Sequence, residues 1–379
     1  MGNIVSACKD GGFDTALSTM LREIKRMKDF GFTASEYARA KANFLKNLEK
    51  AYNEREKTQT ANYVNEYVRH FIDNEPIPGI ENEYNLANQI LPSIPVEAIN
   101  QIIPMLVDDK NLVIAVFMPE KEGITYPTKE HIISLVDAVK AEKLTAYEDK
   151  VSDEPLIKDV PKAGKVVKTE DGKFGSKILT LSNGVRVIVK TTDFKADEIT
   201  MKAFSPGGSN LYPDKEIINI NQMNSVVSLG GIGNFSRVDL DKVLAGKNAS
   251  VSANVSGLTE QLNGRCTPKD FETMMQLTYL TFTAPRMDQE AFDSFKNRMK
   301  AQLENMKNLP QKAFSDTIQD ALYNKHPRVL NMTPEMVDQI DYNKVMEIYK
   351  DRFKDASDFT FMFVGNINLD EMKPLMNVC

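Results

Sequence analysis

Histidine is scarce in this chain and tryptophan is absent. Only His70, His131 and His326 occur in 379 residues. Zinc hydrolysis usually takes two histidines one helical turn apart with a carboxylate beside them. No two of the three histidines lie within a turn of each other in sequence, so neither H-E-x-x-H nor H-x-x-E-H exists here. Isolated histidines read as surface or satisfied polar residues. His70 and His326 fall near expected helix ends, where a cation suits the C-terminal dipole. Cysteine is equally sparse. Cys8, Cys266 and Cys379 show no C-x-x-C spacing, which excludes a disulfide framework and a zinc knuckle. Cys266 reads as a buried structural thiol. Long apolar runs are missing too. The longest, "LVIAVFM" at 112–118, is far short of the roughly 20 residues that span a bilayer, so no membrane span is expected and the run reads as a buried strand. Nor is there an excess of positive charge. Lys plus Arg number 47 against 53 Asp plus Glu, a net charge of -6, which argues against nucleic acid as a partner.

Other chemistries lack their residues as well. "SLGGIGNF" (228–235) contains G-x-G without the third glycine of a dinucleotide fingerprint, and it follows an expected helix instead of a strand. No G-x-x-x-x-G-K-[ST] phosphate loop and no G-x-S-x-G nucleophile elbow occur. Acid pairs such as Asp239 and Asp241 carry no information in so acidic a chain and read as solvated faces. Met274, Met275, Met299 and Met306 read as core filling. The start "MGNIVSACKD" has no apolar stretch of signal-peptide length. It matches the loose myristoylation pattern through Gly2 and Ser6, and an added leader in front of an internal start point is the preferred reading.

What is present is a globular composition, 42% hydrophobic and 26% charged, over a length that implies at least two domains. The first part is helical. Thr33 and Glu36 have capping-box spacing, and Tyr37, Phe44, Leu45, Leu48 and Tyr52 recur at helical intervals behind them. Further helices are predicted from about Tyr63 to Ile72, over 82–91 and 96–106, and near 129–141. Residues 148–177, rich in Lys, Asp, Glu, Pro and Gly, have linker composition. "ILTLSNGVRVIVK" then predicts a hairpin with a type I′ turn at Asn183-Gly184. "EITMKAF" and "ASVSANVSGLTEQLNG" supply more strands. Thr267-Pro268 and Thr333-Pro334 announce helix starts, and "FTFMFVG" a closing strand. "EYARAKANFLKNLEK" (36–50) and "AFDSFKNRMKAQLEN" (291–305) align with Tyr37 facing Phe292 and Leu48 facing Leu303. Each leads through helices to a strand, the pattern of a weak internal repeat. Hairpins mixed with helices indicate an α+β fold: two similar domains, each an antiparallel sheet with packed helices, joined by a linker.

The run "LSNGVRVIVK … SPGGSNLYPDKEIINI" resembles the insulinase/pitrilysin family of inverted-motif zinc peptidases, whose domains open with such a hairpin, a strand, a Gly-Ser turn and a helix. "AYNEREK", "YVRHFIDNEPIPGIENEY" and "FTFMFVGNINLDEMKPL" resemble large two-halved bacterial members. In active domains the helix carries H-x-x-E-H. Counting from Gly208-Ser209 places Asn221 at the first His, Asn224 at the Glu and Ser225 at the second His, with Glu304 or Asn305 at the downstream acidic ligand. Amide and hydroxyl oxygens are poor zinc ligands beside imidazole and carboxylate, and without a metal there is no activated water. The resemblance therefore implies that this chain has no catalytic and no metal-ligating residues and holds no cofactor. Zinc and peptide-bond hydrolysis would belong to a catalytic first domain of a parent metalloendopeptidase. The resemblance implies that 1–147 is the later part of a second domain, 148–177 the inter-half linker, 178–356 a third, inactive domain, and 357–379 the first strand and helix start of a fourth. The expected partners are peptide substrates, through the parent, and the N-terminal catalytic half. The expected location leans to the bacterial periplasm. Two further readings stand beside this one: an inactive subunit that binds an active homologue or peptides without cutting, and a plain α+β interaction module.

Overall fold

The structure, a computed structural model, describes residues 3–376 apart from 7, 9, 10, 108–111, 119–121, 153 and 308. Among the described residues, seven α-helices precede the first strand: α1 (Phe13–Phe30), α2 (Ala34–Asn53), α3 (Thr60–Asp73), α4 (Ile80–Ile90), α5 (Val96–Asn100), α6 (Ile103–Leu106) and α7 (Lys129–Ala141). Helix α2 starts on the expected capping box, in which Thr33 accepts from the Glu36 N–H and Glu36 accepts from the Thr33 N–H. The helix expected over 96–106 is two short ones. Pro104 lacks the N–H that a continuous helix needs and instead occupies the first turn of α6. Helix α1 packs against α6 and α7, and α2 against α4, where Tyr52 and Tyr84 stack 4.5 Å apart. Among the described residues of this block only Leu17, Ile103 and Val139 are apolar and fully buried.

The run 112–118 is not a buried strand. It pairs with no other segment among the described residues, and Val113 and Phe117 are 85% and 92% exposed. An apolar run becomes a strand only beside a ladder partner, and the described residues of this block supply none. The described residues therefore form one sheet, and it lies in the second block.

That sheet comprises β1 (Val166–Asp171), β2 (Lys177–Leu181), β3 (Arg186–Thr191), β4 (Ile199–Pro206), β5 (Ala249–Val255), β6 (Thr259–Cys266) and β7 (Thr360–Gly365), in the order β1-β2-β3-β7-β4-β6-β5. Between β4 and β5 lie α8 (Ile217–Val227) and α9 (Arg237–Val243). Between β6 and β7 lie α10 (Phe271–Thr283), α11 (Gln289–Met306), α12 (Pro310–Tyr323), α13 (Pro334–Asp338) and α14 (Tyr342–Arg352), and α15 (Leu369–Met376) follows. The β2–β3 hairpin forms as expected, but its turn is not type I′. The Gly184 N–H reaches Leu181 O, Leu181 N–H reaches Val185 O, and only Gly184, at φ 96°, is left-handed. The three-residue loop puts the positive φ on glycine alone.

Two segments expected outside this sheet pair within it. The supposed linker contains β1, which pairs antiparallel with β2 as far as Asp171 opposite Lys177. The strand expected to open a fourth domain lies instead at the centre of this sheet, parallel to β3 (Ile188 opposite Met362) and antiparallel to β4 (Lys202 opposite Met362). The β3–β7 pair also makes the sheet mixed instead of wholly antiparallel. Composition could not show either pairing, because partners remote in sequence set both.

Along β4, alternate side chains from Ile199 to Ser205 are buried, and those between face outward. Leu179, Val187, Val189, Met201, Leu262, Phe361 and Phe363 line the buried face together with α8, α10, α14 and α15. Among the described residues no helix layer covers the opposite face of the sheet, where Thr200, Lys202, Asn263 and Arg265 are exposed. The two blocks share an order of elements: α2 and α11 align, α3 and α12 both end on a left-handed asparagine (Asn74, φ 55°; Asn324, φ 49°), and 112–118 and β7 hold corresponding places.

Candidate functional site

The turn after β4 is sewn to the loop between β5 and β6. Gly207 N–H donates to Leu258 O at 2.8 Å, Gly208 N–H to Glu260 Oε1 at 2.8 Å, and Ser209 N–H to Ser256 O at 2.8 Å. Gly208 has φ 80°, and a Cβ there would stand 2.6 Å from the Gly257 backbone, so this residue must be glycine. Glu260 is 1% exposed and meets Arg352 Nη1 at 3.2 Å. Arg328 clamps the next stretch, with Nε on Asp214 Oδ1 at 2.8 Å, Nη1 on Ser209 O at 3.1 Å and Nη2 on Tyr212 O at 2.6 Å. Tyr212 Oη donates to Asp351 Oδ2 at 2.5 Å. Burial, reinforced by that bond, pushes the Tyr212 phenol up to about 12. The same bond, with help from Lys354 and Arg352, holds the Asp351 carboxyl well below the usual range.

Helix α8 buries Ile217, Ile218, Ile220, Met223 and Val226 and leaves Asn221, Asn224 and Ser225 exposed. Of the three, Asn224 makes the contacts of a scaffold residue. Asn224 Oδ1 accepts from Val255 N–H at 3.2 Å and its amide donates to Asn254, fixing the helix to β5. Ser225 O accepts from Ser228 Oγ at 2.8 Å. Buried Asn219 Oδ1 accepts from Asp341 N–H at 2.9 Å, joining α8 to the start of α14. Glu304 and Asn305 are exposed on the last turn of α11. No hydrogen bond or ion pair brings Glu304 to Asn221, Asn224 or Ser225. The histidines are dispersed: His70 Nδ1 lies 2.7 Å from Glu75 O, His131 Nε2 2.8 Å from Asp14, and His326 Nδ1 accepts from Arg328 N–H at 3.2 Å. Among the described residues no group of three or more His, Cys, Asp or Glu side chains could hold a metal ion. An open cavity of about 600 Å³ lies just past α8, lined by Ser228, Leu229, Arg237, Asp288, Glu290 and Arg298 among others, and it reaches none of Asn221, Asn224 and Ser225.

No known family profile matches the chain. It is 27% identical over 356 residues to "Zinc protease PQQL-like" of Arabidopsis thaliana, covering 93% of this chain and 35% of that protein. It is 21% identical over 373 residues to "Probable zinc protease PqqL" of Escherichia coli, covering 97% and 40%. The chain is a relative of the insulinase/pitrilysin zinc peptidases. The fold agrees. The crystal structure of the periplasmic protease PqqL from Escherichia coli superposes with a TM-score of 0.54 over 96% of this chain and 40% of that one, at 20% identity. A mutant of the ferredoxin protease FusC, solved in complex with Arabidopsis ferredoxin, gives 0.53 over 97% and 41%, at 15% identity. The chain thus spans about two-fifths of the length of the proteins it matches.

In this insulinase/pitrilysin relative, several structural polar residues were not foreseen from sequence. Glu260 had a signal: it shares the inward register of β6 with Leu262, Gly264 and Cys266, and an acid at such a position demands a buried partner. Asp149 had none. Its side chain is 1% exposed, accepts from Ser35 Oγ at 2.6 Å and from Arg39, and forms an ion pair with Lys242 Nζ at 2.9 Å. Burial opposes its charge, but the bonds from Arg39, Lys242 and Ser35 outweigh it and hold the carboxyl well below the usual range. This acid ties α2 of the helical block to α9 of the sheet block. Cys266 is buried on β6, and burial, aided by the nearby Asp270 and Asp197, pushes its thiol up to about 12, which leaves it unreactive at neutral pH.

Proposed function

We propose that this chain is a non-catalytic part of a zinc-dependent metalloendopeptidase and that it helps to enclose peptide substrates in a clam-like chamber. The observation that carries the reading is α8. It keeps the strand–turn–helix frame of a zinc peptidase domain, while Asn221, Asn224 and Ser225 stand where the ligands and base would be, and the Asn224 side chain is engaged as a structural tie to β5. Zinc, the activated water and cleavage belong to another part of the parent protein. Residues 166–376 are the inactive third domain, extended past the expected 356 to include β7 and α15. The helical block up to about 147 is the later part of a second domain. Its exposed run 112–118 corresponds in place to β7, so the rest of the parent supplies the sheet that it joins. The periplasmic description of PqqL from Escherichia coli is carried over as the location of the parent.

Metal analysis of the purified, untagged chain tests this reading together with a peptide-cleavage assay. Zinc well below one ion per chain and no cleavage are expected, with cleavage appearing when the catalytic half of the parent is co-expressed. Stoichiometric tight zinc, or cleavage by a clean preparation of the chain alone, refutes it. Binding of an active homologue without restored cleavage would move the chain to the inactive-subunit reading.

A further inference from the structure

The uncovered face of the sheet carries a charge pattern that the chamber reading does not require. In register, Ile188, Met362 and Lys202 are adjacent on β3, β7 and β4, with Arg186 and Lys190 on β3 to either side of Ile188. Val364 lies beside Lys190 and is 43% exposed. Arg186, Lys190 and Lys202 make no ion pair or hydrogen bond with any described residue. Two acids border this face, and both are already neutralised. Glu170 pairs with Lys168 at 2.8 Å, and Glu198 pairs with Arg265 and lies 3.9 Å from Lys50. The remaining side chains from β2 to β6 on this face are uncharged. Three free cations therefore frame an apolar centre of Ile188, Met362 and Val364, in a chain whose net charge is -6.

We propose that this face binds acidic polypeptide segments in extended conformation. Arg186 and Lys190 lie four residues apart on one strand, roughly 13 Å at about 3.3 Å per residue, and Lys202 lies two strands over, roughly 10 Å away. An extended peptide with acids at positions i and i+4 matches the first spacing, and its apolar side chains cover Met362 and Val364. A nucleic acid fits less well, because the net negative charge of the chain repels a phosphate polymer beyond the three cations, and phosphates leave the apolar centre unfilled. The proposal deepens the chamber reading by assigning a substrate class to the wall, but its test uses the isolated chain and stands apart from any cleavage assay.

Fluorescence anisotropy of labelled twelve-residue peptides, one acidic at every fourth position, one uncharged and one basic, measures the preference. The acidic peptide is expected to bind about tenfold more tightly than the uncharged one, and the advantage to shrink as salt rises. The triple variant Arg186→Gln, Lys190→Gln, Lys202→Gln should erase it. A matched variant on the helical side, Lys215→Gln, Lys300→Gln, Lys344→Gln, should retain it, and unchanged melting curves show that both variants fold. Equal binding of acidic and uncharged peptides overturns the proposal, as does acidic-peptide binding that survives the first triple variant. An oligonucleotide that binds as tightly as the acidic peptide also overturns it, because the face is then a general polyanion surface. If acidic peptides bind as expected but co-expression with the catalytic half gives no cleavage, the surface stands and the chamber reading falls.

Discussion

Replacing Asp149 with alanine should loosen the junction between the helical block and the sheet. The carboxylate is almost completely buried, and three partners from two separate elements converge on it: Ser35 and Arg39 from α2 by hydrogen bonds, and Lys242 from α9 by an ion pair. Charge-assisted bonds of this kind contribute about 1.5–3 kcal/mol each, but they do not add when they share one acceptor. Arg39 and Lys242 keep side-chain exposures of 21% and 14%, so each regains part of its hydration when the acid is removed. The low end of the range for breaking a buried pair applies, about 3 kcal/mol. Asn43 Oδ1 on Gly246 N–H at 3.0 Å and Lys46 Nζ on Lys247 O at 2.8 Å remain, so the junction should open without the sheet unfolding. Hydrogen exchange followed by mass spectrometry reads this directly: protection in α2 and α9 should fall by about a hundredfold, while β3, β4 and β7 are unaffected. The folded carboxyl titrates below its unfolded value, so the stabilisation is complete above about pH 4 and is lost as pH falls through the lower, folded value. The gap between wild type and Asp149→Ala should therefore be flat from neutral pH to about pH 5 and close in stronger acid. Asp241→Ala is the control, since its side chain is 65% exposed and pairs with Arg237 at 3.5 Å; it should cost no more than about 0.5 kcal/mol. If the two variants exchange alike, the convergence on Asp149 does not hold the junction.

Two further substitutions separate scaffold from chemistry around the turn and α8. Gly208→Ala should cost at least about 2 kcal/mol, measured by denaturant unfolding, because it adds a left-handed strain and a clash with the Gly257 backbone; a smaller loss would mean that the turn relaxes freely. Asn224→Ala should cost about 1 kcal/mol through the lost acceptor for Val255 N–H, with zinc content unchanged. A drop in bound metal on that change would contradict the structural role given to this residue.

Local physics made much of the sheet block legible in the sequence. The alternation around Asn183-Gly184, the run from Ile199 and the Ser-Gly turn between β5 and β6 all appear as expected, since period-two burial and turn chemistry are written in adjacent residues. Helix α7 falls on its expected bounds, behind a Thr128 side chain that accepts from His131 N–H. The failures share one cause. Whether 112–118 is a strand, whether 166–171 belongs to a linker and where 360–365 pairs all depend on partners far away in the chain. Asp149 sits in a charged, proline-containing stretch whose composition hides a single acid buried by two remote elements. The candidate site was readable mainly as an absence, in Asn221, Asn224 and Ser225. The positive features nearby, Glu260 with Arg352 and Tyr212 with Asp351, join residues 92 and 139 positions apart.

The placement of β7 has a consequence for how the chain is made. Strands β3 and β4 are neighbours in sequence, yet in the sheet a segment that leaves the ribosome some 170 residues after β3 separates them. Until that segment arrives, β2–β3 and β4–β6–β5 are two unjoined pieces, each with an unpaired inner edge. Pairings of such long sequence separation form slowly and leave edges open to misassembly. The centre of the sheet therefore cannot close until β7, some 170 residues beyond β3, has been synthesised.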